Sequence, residues 1–550
     1  MTWPRRPLPA IGVALLALAA TITSLHHEFT YDDKPVILGN DRVHHLTGIW
    51  RLFGQSYWPA AFGGDGYRPV TTTLFTLQWA AGKGAPWVFH LGNIILAVCA
   101  ALAVLWCARA LLPPLESFVV AGLFAVHPVH VEVTGNVVGQ SELVVAICVV
   151  LAVGIYIRAR HLDQLGWQTS FLIGALYAVG LFTKEHAVVL PVLLVAAEVT
   201  VLGGGRWRER LRQTRPIVLV LVAVSLAYML VRSRVQEGLG FIPFPVFRYL
   251  HLSTANRIGT MLNEIPRVAR LLVFPAHLSG DYSPQDVIIA NGADVTQLPG
   301  LVILTGVTVL AVALRRRAPV AGFGLWWLIV AFLPVSNLLV PAGFITAERT
   351  LFLPSVGVLL VVGTLVQYVR ARGRQWERRL GAAALVVLVA LGLGRSIDRQ
   401  RVWKNNEIFA NQLVKDAPNG YRAHFIRGRA LGLEQHNLPE AMREYRRALQ
   451  LYPYDPTMTI TIADNYMRAG MFEPAAELFR LSYAVEPEAA AARYEYVYAL
   501  SRLGRWPEVR SEALKALPYV SGSESKLLRA AIAYADSIAG RGRFSVGRGR

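Results

Sequence analysis

Apolar runs of about 16–24 residues recur through residues 1–400 and then stop. A helix of that length matches a bilayer hydrocarbon core of about 30 Å. In lipid a chain must satisfy its own backbone hydrogen bonds, which leaves helices as the form for single segments like these. The pattern predicts about eleven spans, near 8–25, 88–112, 116–127, 135–157, 168–183, 186–203, 216–232, 299–314, 319–340, 350–369 and 380–395. Residues 401–550 carry no such run.

Composition agrees: 54% of residues are hydrophobic and the mean hydropathy is +0.40. The net charge of +19 does not point to nucleic acid. The arginines fall mainly in short loops between apolar runs and in the C-terminal part, and loop charges of that kind set membrane orientation. Cys99, Cys107 and Cys148 all lie in apolar runs, so they provide no disulfide framework and no metal spacing. Arg5 and Arg6 precede the first run, and Ala17-Leu18-Ala19 resembles a cleavage site. With many spans following, an uncleaved first helix is the preferred reading over a signal peptide.

With the N-terminus inside and the spans alternating, every strongly basic short loop falls on the cytoplasmic side: Arg109, Arg158/Arg160, the Arg206–Arg215 cluster, Arg315–Arg317 and Arg370–Arg379. Residues 258–275 test this count. They are fairly apolar but contain Asn263, Glu264, Arg267 and Arg270. If they crossed, Arg315–Arg317 would face outward, so they are expected to lie at the interface or re-enter. Eleven spans place the C-terminal part outside.

That part repeats. Ala441, Tyr445, Ala448 and Pro453 recur 34 residues later as Ala475, Phe479, Ser482 and Pro487, and more weakly as Val509, Ala513, Ala516 and Ser521. Tyr466 precedes Ala475 at the expected place. This is the tetratricopeptide pattern, in which small residues let paired helices approach and an aromatic fills the groove between them. Each unit buries its face against a neighbour, so about three are needed for stability. The expected layout is a membrane domain over 1–400, a linker over 401–420, repeats with a capping helix over 421–540, and a disordered basic tail over 541–550. The repeats read as a docking surface without chemistry.

Polar residues gather at the outer ends of the spans. The first outer loop carries the adjacent carboxylates Asp32 and Asp33, then Tyr67-Arg68-Pro69. Such a pair can serve as a general base, a metal ligand or a solvated turn. His127, His130 and Glu132 follow the third span, with Gln140, Ser141 and Glu142 beyond them. They are metal ligands by type, but their spacing matches no standard zinc motif. An ionisable residue at membrane depth, such as Glu142, is expensive and usually functional. Lys184-Glu185-His186 occupies the turn between the fifth and sixth spans, either as a self-neutralised pair or as part of a site. Ala347-Glu348-Arg349-Thr350 leads into the tenth, and the planar guanidinium fork of Arg suits phosphate oxygens. Carboxylates and cations on one outer face beside lipid suit a lipid-linked phosphate donor. A base would deprotonate an acceptor hydroxyl while cations stabilise the departing phosphate.

Taken in order, Tyr31-Asp32-Asp33 with Asn40, Tyr67-Arg68-Pro69, His127-Pro128-Val129-His130-Val131-Glu132, Lys184-Glu185, Phe274-Pro275 with Leu278-Ser279 and Asp281-Tyr282, and Ala347-Glu348-Arg349-Thr350-Leu351-Phe352-Leu353-Pro354 resemble the transmembrane and tetratricopeptide-repeat protein O-mannosyltransferases. The resemblance covers nearly the whole chain. It implies an all-α, GT-C-like membrane bundle followed by a short repeat solenoid. The activity implied is inverting transfer of a sugar, typically mannose, from a polyprenyl-phosphate carrier to a Ser or Thr hydroxyl of an extracytoplasmic protein. Asp32 or Asp33 would be the base and Arg349, Lys184 and Arg68 the phosphate contacts. His127, His130, Glu132, Glu348 and Glu185 would line the sugar or acceptor side. No metal or other cofactor is expected, since the lipid-linked sugar is itself a substrate. The partners would be that donor, membrane lipid and an acceptor protein held by the repeats, in a bacterial plasma membrane. One departure stands out: the family often has Gly-Arg-Ala-Asp where this chain has Gly139-Gln140-Ser141-Glu142. The alternative reading is a membrane-anchored repeat scaffold for envelope complexes. A transporter would show inverted repeats or interrupted helices, and no clear internal symmetry is present.

Overall fold

The structure, a computed structural model, describes residues 7–59, 66–203, 207–236, 252–339, 341, 344–487 and 489–546. Among the described residues every regular element is a helix. The chain forms two compact units. The first takes most of the chain up to Asp416, and the second takes the residues from Ala417 onward together with Ser283–Asp286.

Among the described residues of the first unit seven helices are long and apolar enough to cross a membrane: Leu8–His26, Pro86–Ala108, Val137–His161, Arg208–Val235, Val295–Arg317, Glu348–Arg372 and Gln375–Trp403. This is an integral membrane protein. Pro114–Ala125 and Pro128–Gly135 meet at a 49° bend and count as an eighth span if taken together. The bend falls at Pro128, which has no N–H to continue a helix. Seven or eight is fewer than the eleven read from hydropathy alone. Two further stretches form the shorter apolar helices Trp167–Thr183 and Pro319–Val335. The expected span at 186–203 is divided into a 3-10 turn, Glu185–Val189, and a helix of 10 residues, Leu190–Val199, which opens at Pro191. The expected span at 319–340 ends on a residue outside the described ones.

Small residues let these helices approach closely, as membrane packing requires. A Cβ on Gly357 would lie 2.3 Å from the Gly324 carbonyl oxygen, and one on Gly300 would lie 1.8 Å from that of Leu262. The unit has two chemically distinct ends. At one end Arg370 meets the fully buried Glu116 at 2.8 Å, and Arg160 meets Glu198 at 2.6 Å. The motifs singled out above lie at the other. The helix Thr254–Val273 is amphipathic, with Glu264, Val268, Leu271 and Leu272 on its buried face. Leu271 and Leu272 pack with Val129, Tyr282 and Leu351.

The second unit is a run of helices joined by short turns: Tyr421–Arg429, Leu438–Leu451, Pro456–Arg468, Phe472–Val485, Ala490–Arg502, Trp506–Ala516 and Gly522–Val546. Proline opens several of them, and side-chain oxygens cap two: Asn437 accepts from Glu440 N at 3.3 Å and Asp455 from Met458 N at 3.2 Å. Of the residues that recur in sequence, Ala441, Tyr445, Ala448, Ala475, Phe479, Ser482, Val509, Ala513 and Ala516 are buried, whereas Pro453 is half-buried and Pro487 and Ser521 are exposed. The stretch read as a linker contains a helix, Asn406–Asp416, with Phe409, Ala410 and Leu413 buried in the first unit. The last helix runs into the stretch expected to be disordered, whose final four residues lie outside the described ones.

Candidate active site

The site begins where the first helix ends. Tyr31 adopts a left-handed backbone, φ 54°, a conformation that non-glycine residues hold only when their surroundings impose it. Two contacts impose it here. The Tyr31 N–H donates to Asn406 Oδ1 at 2.7 Å, and its ring packs on Phe409 with centroids 5.3 Å apart. The segment following the last membrane helix thus clamps the loop: Glu28 N donates to the Lys404 carbonyl at 2.9 Å and Thr30 Oγ1 to that of Trp403 at 3.2 Å.

This bend sends the two adjacent carboxylates to different fates. Asp33 is completely buried and accepts three backbone N–H bonds, from Thr30 at 3.1 Å, Val137 at 3.3 Å and Val138 at 2.9 Å. Burial pushes its carboxyl up to about 7, against the pull of those donors. Asp32 is half-buried and lies within electrostatic reach of the Arg349 guanidinium.

Arg349 is not a lone cation. Glu132 Oε1 accepts from its guanidinium, and Glu132 Oε2 accepts from its backbone N–H at 2.8 Å. Lys184 Nζ is paired with the buried Glu142, and His186 Nδ1 stands 3.7 Å from the same carboxylate. Arg68 meets Glu185 at 3.4 Å and stacks over Tyr57, 4.8 Å from the ring centroid. Burial alone would raise the Glu185 carboxyl, but Arg68 and Lys184 hold it below the usual carboxylate range. The pairs adjoin one another. Lys184 is within electrostatic reach of both Arg68 and Arg349, and Arg232 within reach of Glu185. Arg349 is thus within reach of Asp32 and Lys184, and Lys184 within reach of Arg68, each of these three cations being already paired with a carboxylate.

The remaining predicted residues stand apart in what they touch. His127 Nε2 lies 3.1 Å from the Leu272 carbonyl, and its Nδ1 accepts from Val129 N. His130 sits between Phe124 and Phe352, with Nδ1 on the Phe124 carbonyl at 2.9 Å and Nε2 on Ser355 Oγ at 3.0 Å. Both rings have their nitrogens engaged by the protein. Glu348 accepts from Tyr282 OH at 2.7 Å and Ser279 N at 2.6 Å, fastening the loop ahead of it. Glu132 and Glu185, expected to line the sugar, are the partners of Arg349 and Arg68. The same chemistry makes Glu142 the counter-ion of Lys184, and its signal in the sequence was an ionisable residue inside an apolar run. Asn406 and Arg232 had no such signal.

No family model matches the chain. Curated relatives do. Protein O-mannosyl-transferase TMTC3 of Mus musculus is 24% identical over 497 residues, 84% of this chain and 53% of the relative. Protein O-mannosyl-transferase TMTC1 of Homo sapiens is 26% identical over 503 residues, 81% of this chain and 55% of the relative. Protein O-mannosyl-transferase Tmtc2 of Drosophila melanogaster is 34% identical over 280 residues, 48% of this chain and 29% of the relative. The chain spans about half the length of the curated relatives it matches. Over most of its own length it is a distant homologue of these protein O-mannosyl-transferases.

Proposed function

We propose that this protein is a membrane glycosyltransferase that moves a sugar, mannose by analogy with its relatives, from a polyprenyl-phosphate carrier to a Ser or Thr hydroxyl of an extracytoplasmic protein. What supports the reading is that Arg349 lies within electrostatic reach of Asp32, and Lys184 within reach of Arg349 and Arg68. Of the two carboxylates, Asp32 is the base. It is half-buried beside the cations, whereas both oxygens of Asp33 are committed to backbone N–H groups. In the step, Asp32 takes the acceptor O–H proton and the oxygen forms a bond to the anomeric carbon. The bond from that carbon to the phosphate oxygen breaks, and its electron pair leaves with polyprenyl phosphate. The anomeric centre inverts through an oxocarbenium-like transition state. Arg349, Lys184 and Arg68 meet the charge that develops on the phosphate. Their carboxylate partners keep the vestibule near neutrality until the donor arrives. The repeat unit, read as tetratricopeptide, holds the acceptor.

The test is transfer of radiolabelled mannose from polyprenyl phosphate by the purified full chain in nanodiscs. Alkali-labile label on a Ser/Thr acceptor, lost in Asp32→Asn and Arg349→Ala, is the expected result. Absence of transfer by the native chain, with the repeats still capturing envelope proteins, would instead identify a scaffold.

A further inference from the structure

We infer that Asn93 is a positioning residue of this site, acting through the turn Val133–Val138 and Asp33 to hold Asp32 in place. The inference rests on the function proposed above. Asn93 lies completely buried on the helix Pro86–Ala108. Its amide nitrogen faces three carbonyl oxygens of one turn: Asn136 at 2.8 Å, Thr134 at 3.3 Å and Val133 at 3.5 Å. With only carbonyls on that side, the amide orientation is fixed by its partners. The same turn is also held from the last membrane helix: Gln400 Nε2 donates to Thr134 Oγ1 at 2.7 Å. Gly139, which follows the turn, has no room for a side chain, since a Cβ there would lie against the Val133 carbonyl oxygen; a Cβ on Gly135 would lie 2.9 Å from Trp403 Cγ.

What the turn delivers is a pair of consecutive N–H groups. Val137 and Val138 donate to the two oxygens of Asp33, and the Asn136 side chain also accepts from Val138 N at 3.2 Å. Asp33 in turn accepts from Thr30 N and so ties the first outer loop to this turn, with Asp32 one residue away. The chain of contacts therefore runs from Asn93 to the turn, to Asp33, to the base.

Asn93 Oδ1 has no hydrogen-bond partner among the described residues. A buried bare acceptor is unfavourable, and an apolar residue of the same size would avoid it. A packing role alone gives no reason to keep the amide, whereas a donor role does. Displacements of about 1 Å at a reacting group lower rates by about 100-fold.

Asn93→Leu in the full chain separates the two. The expected result is loss of hydrogen-exchange protection at Thr30, Val137 and Val138, with protection elsewhere retained. The kcat for mannose transfer should fall by about 10-fold or more, with donor KM changed by less than about 2-fold. Asn93→Asp, which keeps the shape but turns a donor into an acceptor, should be no better than Leu at neutral pH and recover in part on acidification. Unchanged protection at those three amides, or unchanged kcat in Asn93→Leu, would overturn the inference. If Asn93→Leu does not fold, Asn136→Ala is read by the same two measurements. The exchange readout needs no activity, so a native chain that transfers nothing would sink the proposed function and leave this inference to stand or fall by exchange.

Discussion

Asp32 and Asp33 are neighbours with opposite assignments, and substitution should separate them. Asp32→Asn removes the base and keeps the shape of the side chain, so transfer should fall by about 10²–10⁴-fold, with a smaller shift of the unfolding midpoint than Asp33→Asn gives. Asp33→Asn keeps one acceptor oxygen but sets an NH2 donor against either the Val138 amide or the Thr30 and Val137 amides. It should destabilise the protein by about 1–3 kcal/mol, seen as a lower midpoint with activity lost in parallel. Glu132→Gln tests a different idea. It removes the charge that holds the Arg349 fork but raises the net positive charge facing the donor. The kcat should drop by about 10- to 100-fold, while donor KM does not rise. A higher KM with kcat intact would return Glu132 to sugar contact. At this scale the types of residue were legible in the sequence and their pairings were not. Arg349 and Glu132 are 217 positions apart, and Lys184 and Glu142 are 42. Which carboxylate neutralises which cation depends on how the helices pack, and no local spacing encodes that.

Elements were more legible, because hydrophobic length and the 34-residue period are written along the chain. What hydropathy could not show is where proline and 3-10 turns interrupt an apolar run, as at Glu185–Val189. Nor could it show where glycine lets two helices touch. Gly357→Ala would press a methyl against the Gly324 carbonyl and the Leu328 amide, at 2.3 and 2.7 Å. Neither is a flexible side chain, so a loss of about 1–3 kcal/mol is expected, measured by unfolding in detergent. Gly306→Ala, in open space on the helix Leu298–Arg317, should be neutral or gain up to about 1 kcal/mol. In the second unit the pair of helices Tyr421–Arg429 and Leu438–Leu451 carries a pH-sensitive tie. Glu444 accepts from His424 Nδ1 at 2.6 Å, and this bond raises the imidazole above its ordinary value. A raised folded-state value gives stability that is fully present below the unfolded value of about 6.5 and is lost as pH rises through the folded one. Hydrogen exchange in these two helices should therefore quicken, beyond the intrinsic rate, as pH rises above about 6.5, and His424→Gln should flatten that dependence.

For the whole molecule the open quantity is parity. Eight crossings return the C-terminal unit to the side of the N-terminus, and eleven place it opposite. Contacts at the two ends of the membrane unit bear on that count. Helix Gln140–His161 has Glu142 at one end and Arg160 at the other. Lys184, just past Trp167–Thr183, touches Glu142, whereas Glu198, at the end of Leu190–Val199, touches Arg160. Both short apolar segments thus run the full distance between the ends, one out and one back. Pro319–Phe332 also reaches the site end. Gly322 lies against Arg315, and the Ala331 carbonyl lies 2.6 Å from His186 Nε2. Thr254–Val273 behaves otherwise: Arg257 reaches the Asn337 carbonyl, Glu264 accepts from Thr346 Oγ1 at 3.2 Å, and the Leu272 carbonyl meets His127. All three partners are at the site end, as expected of a helix that lies along one face; on that reading Arg315–Arg317 stay on the cytoplasmic side. The prediction is that Ser523→Cys, in a chain with Cys99, Cys107 and Cys148 replaced, is labelled by an impermeant maleimide added outside intact cells. A cysteine at Arg212 should be labelled only after lysis. Labelling of both positions on one side would mean that one of the short segments does not cross, and would separate the repeats from the vestibule they are proposed to serve.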